Sequence, residues 1–148
     1  MQIWIDGDAC PKQIKEILFR AAERTKTQLY FVSNHFVSIP PSAYIKRIMV
    51  GSGFDVADSH IVTNIKANDL AITADIPLAN DIIEKKAYAL NPRGELYSAE
   101  NIKQILARRN FNESLRSSGM LLGGAGKISA KEIQAFSNNL DKLITKNK

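Results

Sequence analysis

Asp6 and Asp8 stand one residue apart in "IWIDGDACPKQIKEIL" (residues 3–18), where an apolar run gives way to an amphipathic one. Asp55 and Asp58 lie one helical turn apart in "GFDVADSHIV", and Asp75 closes the apolar run "DLAITAD". Five carboxylates gathered in one place would repel one another, so such a cluster needs a divalent cation, and hard oxygen donors select Mg²⁺ or Mn²⁺. The chemistry that uses such a centre is phosphodiester hydrolysis. One or two ions, about 4 Å apart when paired, activate a water and stabilise the charge on the attacked phosphate. Each aspartate also has a plainer use, because Asp-Gly-Asp suits a turn and an aspartate at a helix start meets the positive end of the helix dipole.

Whether the aspartates meet depends on the elements that carry them. Residues 2–6 read as a strand, and Pro11 opens a helix striped by Ile14, Ile17, Leu18, Ala21, Ala22 and Thr25. Strand patterns recur at 28–34, 45–50, 69–75 and 87–92, with helical patterns at 54–65 and after Pro77, where Leu78, Ala79, Ile82 and Ile83 share a side. Strands alternating with helices predict an α/β fold, a parallel sheet covered by helices on both faces. Ligands of such sheets bind beyond the carboxyl ends of the strands. Asp6 and Asp75 therefore share an edge, Asp8 follows in the turn, and Asp55 and Asp58 come after the third strand. Asp69 begins the strand that Asp75 ends and falls near the opposite edge, and Asp81 lies off the apolar side of its helix.

After Tyr97 the pattern becomes helical. Ser98 is placed to cap a helix bearing Ile102, Ile105 and Leu106, a shorter segment runs to Gly119, and Ser129 and Glu132 form a capping box for a last helix carrying Ile133, Phe136, Leu140 and Leu143. The connection "GMLLGGAG" (119–126) lacks the residues of a phosphate-binding P-loop. One domain is expected over 1–148, with an α/β core in 1–97 and a basic helical region in 98–148.

The 148 residues are 45% hydrophobic, enough for one core. The net charge of +5 is unevenly spread: 1–97 hold 11 Lys/Arg and 11 Asp/Glu, and 98–148 hold 9 and 4. A basic flank beside an acidic site suits a polyanion. Arg93, after the last strand pattern, is expected to hold a phosphate, and Arg109 and Arg116, two turns apart, to position nucleic acid without reading its sequence. For Arg108 and Arg116 a solvated face or an ion pair with Glu113 is an equal alternative. Cys10 is the single cysteine, which excludes an internal disulfide and a cysteine zinc cluster, and His35 and His60 lack zinc-site spacing. Trp4, Tyr30 and Phe31 fall within strand patterns and read as core, leaving no stacking platform for bases. No apolar run nears the roughly 20 residues of a membrane span, and the start lacks a signal-peptide pattern, so a cytoplasmic protein is expected.

The segments "DGDACP", "GFDVADSHIV", "LAITADIPLA", "LNPRGELY" and "ARRNFNESLRSSG", in this order, resemble the YaiI/YqxD family of uncharacterised bacterial proteins over essentially the whole chain. That family is similar in turn to the PIN and NYN nuclease-like fold, a three-layer α/β arrangement. The resemblance implies a Mg²⁺- or Mn²⁺-dependent nuclease, with RNA favoured over DNA as partner. It makes Asp6 the first-strand ligand, Asp55 the helix-borne acid and Asp75 the ligand of the later strand, with Asp8 and Asp58 in support. Two positions depart from the pattern: Asn110 stands where relatives often carry an acid, and Gly7 where a small residue such as alanine is usual. Two other readings stay open. An aspartyl-phosphate phosphatase of haloacid-dehalogenase type would use Asp6 as nucleophile and Asp8 as acid/base. A non-catalytic nucleic-acid-binding module would keep the fold and the salt-dependent binding alone.

Overall fold

Apolar residues run almost without interruption through the central strands, as they must in a sheet covered on both faces. The computed structural model describes residues 1–7, 10–51, 56–108 and 127–147. Strands β1 (Ile3–Asp6), β2 (Leu29–Ser33), β3 (Ile45–Met49), β4 (Leu70–Ile72), β5 (Tyr88–Leu90) and β6 (Leu96–Tyr97) form one sheet in the order β3-β2-β1-β4-β5-β6. Helices α1 (Lys12–Thr25), α2 (Val56–Asn64), α3 (Ile76–Glu84), α4 (102–108) and α5 (Ala130–Lys146) cover it. The first five strands are parallel, and β6 returns antiparallel to β5, with Leu90 opposite Leu96 and Ala89 opposite Tyr97.

Alternation along the strands sorts the core into two layers. Ile3, Ile5, Leu29, Phe31, Leu70 and Ile72 pack with Ile14 and Leu18 of α1 and with Phe136, Leu140 and Leu143 of α5. Trp4, Val32 and Ala71 point the other way and pack with Ile61 of α2, Leu78 and Ile82 of α3, and Ile102 and Ile105 of α4. The result is the expected three-layer α/β arrangement.

Several boundaries differ from the sequence expectation. The strand ending in "TAD" stops at Ile72, because Asp75 turns to cap α3. Pro11 is the N-cap of α1, and Pro77 is the second residue of α3. The two-residue strand β6 was not anticipated, since so short a run carries no usable period. The expected helix before Gly119 and the 119–126 connection lie outside the described residues. The capping box of α5 forms as expected, with Glu132 N–H donating to Ser129 Oγ at 3.1 Å and Ser129 N–H to Glu132 Oε1 at 2.9 Å.

The β5–β6 turn docks α5 onto the core. Arg93 Nη1 donates to both carboxylate oxygens of Glu132, at 3.0 and 3.2 Å, and Asn139 Nδ2 donates to the Gly94 carbonyl at 2.7 Å. Gly94 has φ +101°, and a Cβ there would come within 2.7 Å of Ala135 Cβ and 2.8 Å of the Phe136 backbone nitrogen. Hydrogen bonds from the Ser129 backbone and from Arg93 hold the Glu132 carboxyl below its usual pKa. Its contribution is therefore present above the ordinary carboxylate range and is lost as pH falls through the lowered value. Gly94→Ala combines a left-handed backbone with backbone overlap, and is expected to cost about 2 kcal/mol or more. Urea unfolding of the variant would measure it.

Candidate metal centre at the carboxyl edge of the sheet

The chain builds β1, β2 and β3 outward on one side, then crosses to lay β4 against the other side of β1. The strand order therefore reverses between β1 and β4, and their carboxyl ends flank the crevice where open α/β sheets bind ligands. Register puts Asp6 at that edge, level with Val32 of β2, and Thr73 follows directly on Ile72, the partner of Ile5.

Thr73 joins the two strand ends. The backbone N–H of Asp75 donates to Thr73 Oγ1 at 3.0 Å, so the hydroxyl proton is left to point at Asp6 Oδ2, 3.1 Å away. Asp6 is 9% exposed, and a carboxylate so placed must be compensated by hydrogen bonds or opposite charge. Asp75, half-buried, accepts the Leu78 N–H on Oδ1 at 2.9 Å and thereby caps α3. Helices α1, α2 and α3 follow β1, β3 and β4 respectively, so all three direct their positive ends toward this edge.

The expected site residues separate as follows. Thr73 links the Asp6 carboxylate to the Asp75 backbone N–H, and Asp58 sits half-buried in the first turn of α2. Asp8, Asp55, Arg109 and Arg116 lie outside the described residues. Arg93, expected to hold a phosphate, is instead engaged with Glu132 of α5. Asp69 is at the opposite edge, as expected, where its carboxylate accepts the N–H groups of Gln2 and Lys66 at 3.0 and 3.1 Å. Asp81 is exposed. The sequence reading missed Thr73, whose only signal is a hydroxyl between an apolar strand and the cap of the next helix. It also missed Asn91, which follows β5 at this edge, donates to Tyr97 Oη at 2.7 Å, and accepts the Arg93 N–H at the same distance. Burial pushes the Tyr97 phenol up, the Asn91 hydrogen bond opposes this, and the negative charges of Glu95 and Asp75 add to it.

The Thr73 hydroxyl meets the Asp6 carboxylate, whereas Asp75 joins through its backbone N–H and its carboxylate caps α3; carboxylate and hydroxyl oxygens are of the kind suited to Mg²⁺ or Mn²⁺. Among the described residues no three His, Cys, Asp or Glu side chains come close enough to enclose an ion. Mg²⁺ commonly takes only one or two protein carboxylates and keeps water or phosphate in its other positions, so it does not require such a group of three. Cys10, just downstream of Asp6, does not join this chemistry. Burial pushes its thiol up to about 12, Lys15 opposes the shift and Asp6 reinforces it, so the nucleophilic thiolate is suppressed.

The model of the family described as "Uncharacterized BCR, YaiI/YqxD family" matches residues 4–146. The chain is 56% identical over 147 residues to a UPF0178 protein of Shewanella pealeana, covering 99% of this chain and 97% of that one. It is 56% identical over 149 residues to one of Pseudoalteromonas translucida, covering 100% and 99%. It is 57% identical over 144 residues to one of a Marinomonas species, covering 97% of each. No solved structure matches.

Two outcomes follow from this geometry. Thr73→Val keeps the shape but removes the donor to a buried carboxylate, and should lower stability by about 1–3 kcal/mol in urea unfolding at neutral pH. Cys10 holds its proton in the folded state between its ordinary value of 9.0 and about 12, whereas the unfolded chain loses it. Stability must fall as pH rises through that window, and Cys10→Ala should flatten the fall in alkaline unfolding curves.

Proposed function

The chain belongs to the YaiI/YqxD family, and we propose that it is a Mg²⁺- or Mn²⁺-dependent phosphodiester hydrolase acting on nucleic acid, with RNA as the favoured substrate. The observation that carries this reading is the hydrogen bonding of the Asp6 carboxylate and the Asp75 backbone N–H to Thr73 at the point where the strand order reverses. The bound ion would supply a Lewis acid for the phosphate and a water of lowered pKa. Asp6 and Asp75 are the proposed ligands. Thr73 orients the Asp6 carboxylate, and Asp75 is kept in place by its cap on α3. Asp8, Asp55 and Asp58 are proposed to complete the acidic set, Asp55 as a further ligand.

Three helix N-termini directed at the edge favour an anionic substrate despite the carboxylates. Arg109 and Arg116 in the basic last third are proposed to hold flanking phosphates. Arg93, whose Nη1 is held by Glu132, is proposed to join them through its other guanidinium N–H groups.

The test is incubation of labelled single-stranded RNA with wild type and Asp6→Asn, in Mn²⁺ and in EDTA. Cleavage is expected in Mn²⁺, absent in EDTA, and lowered about 100-fold or more in the variant. Mn²⁺ should also raise the Tm of wild type but not of Asp6→Asn, since only a ligand bound by the folded state stabilises it. Equal cleavage by the two proteins would contradict the proposal.

A further inference from the structure

The aromatic residues singled out by strand pattern are not the exposed ones. Trp4 and Phe31 are buried, and Trp4 stacks on Tyr30 with ring centroids 4.4 Å apart. Among the described residues the exposed large hydrophobic side chains are Phe36, 66% exposed, and Met49, 61% exposed, and both lie along the β3 side of the sheet.

Phe36 is held outward by the backbone on either side of it. Ser33, fully buried at the end of β2, donates through Oγ to the His35 carbonyl at 2.6 Å, and Arg47 Nη1 donates to the Val37 carbonyl at 3.2 Å. The Arg47 guanidinium also sits over the Phe36 ring, 4.2 Å from its centroid. Two residues further along β3, Met49 projects to the same face as Arg47. The neighbouring Lys46 is exposed as well and, by the same alternation, projects to the opposite face of β3, the one Asp6 occupies on β1. The whole stretch 24–54 contains Arg24, Lys26, Lys46 and Arg47 and no Asp or Glu. An aromatic ring with a cation on one face, on a sheet edge whose own stretch is basic and has Glu23 of α1 beside Pro40 with Arg20 and Arg24, matches a polyanion that also carries flat apolar bases.

The platform and the carboxylates share the carboxyl edge, with Arg47, level with Phe31, on the α1 face of the sheet and Asp6 on the other. Asp6, Val32 and Ile48 share one level across β1, β2 and β3, which puts β3 about 10 Å from β1. The loop bearing Phe36 leaves β2 at the same carboxyl edge. A second protein strand is the other occupant an open edge invites, but adjacent charged residues on an edge strand oppose such pairing.

We propose that the β2–β3 loop and β3 form a landing platform for single-stranded nucleic acid, in which Phe36 stacks on a base while Arg47 and Lys46 contact phosphates. The delivery of that strand to Asp6 and Asp75 rests on the hydrolase reading; the binding itself does not. A duplex, whose bases are already stacked on one another, is excluded from the aromatic contact.

The experiment is fluorescence anisotropy in EDTA with labelled oligouridylate of about 12 nucleotides, and with its duplex with oligoadenylate. The proteins compared are wild type, Phe36→Ala, Arg47→Ala and Lys66→Ala. Phe36→Ala and Arg47→Ala are expected to weaken single-strand binding about tenfold each. Lys66→Ala, which removes the same charge from an exposed residue in the turn before β4 at the opposite edge of the sheet, should stay within about twofold of wild type. Phe36 is exposed, so its variant should keep the wild-type Tm, and an unchanged Tm assigns the loss to binding. The proposal is overturned by single-strand binding that Phe36→Ala leaves within about twofold, by equal binding of the duplex, or by no binding in wild type. It is also overturned if sedimentation shows a dimer that Phe36→Ala dissociates, which would give the patch to a second copy. Phe36-dependent binding without Mn²⁺-dependent cleavage would sink the hydrolase and leave the platform standing, and cleavage with a silent Phe36→Ala would do the reverse.

Discussion

The Thr73 hydroxyl is the interaction on which the carboxyl edge depends. Its oxygen accepts the Asp75 amide and its proton goes to Asp6, so one side chain ties the end of β1, the end of β4 and the cap of α3 into a single hydrogen-bonded unit. A buried carboxylate is costly unless its oxygens are satisfied, and the strand ends can come this close only because donor and acceptor are assigned without conflict. The same unit sets the direction of the Asp6 side chain. It faces the layer of α2 and α3, opposite to Ile3 and Ile5, because strand alternation permits nothing else.

Close packing reinforces that direction. Gly7 follows Asp6 directly, and a Cβ at this position would overlap the Phe31 ring, which is itself fully buried between β2 and α1. Gly7 is therefore matched to a large neighbour on β2. At the far end of the chain, α5 contributes Phe136, Leu140, Leu143 and Ile144 to the same core layer as Ile3 and Ile5. The last helix of the basic third is thus part of the α/β body. Its attachment uses Arg93, whose guanidinium is about one-third exposed, together with the close approach of Gly94. The ion pair between Arg24 and Asp141 also joins α1 to α5, but both side chains are more than half exposed, so it adds little.

The parallel sheet, the buried faces of α1, α3 and α5, and the shared edge of Asp6 and Asp75 were legible in the sequence because each follows from a period or from topology. Thr73 was not, since a hydroxyl at a strand end is commonplace until the register shows what lies beside it. The ion pair of Arg93 was hidden for a related reason. Its position after β5 suggested a ligand contact, whereas its partner Glu132 is 39 residues away and its pairing depends on how α5 returns to the sheet. Phe36 escaped notice because it lies in the irregular 34–44 connection, where no period distinguishes an inward from an outward ring. Asp75 was identified but placed at the end of a strand, because "DLAITAD" does not show that β4 stops three residues earlier.

The central claim is that Asp6 and Asp75 share a divalent cation. Anomalous diffraction from crystals soaked in Mn²⁺ tests it most directly. The claim predicts a peak at the carboxyl edge between β1 and β4, about 2.2 Å from carboxylate oxygens of both Asp6 and Asp75. A fully occupied Mn²⁺ bound elsewhere, with none at this edge, would contradict it.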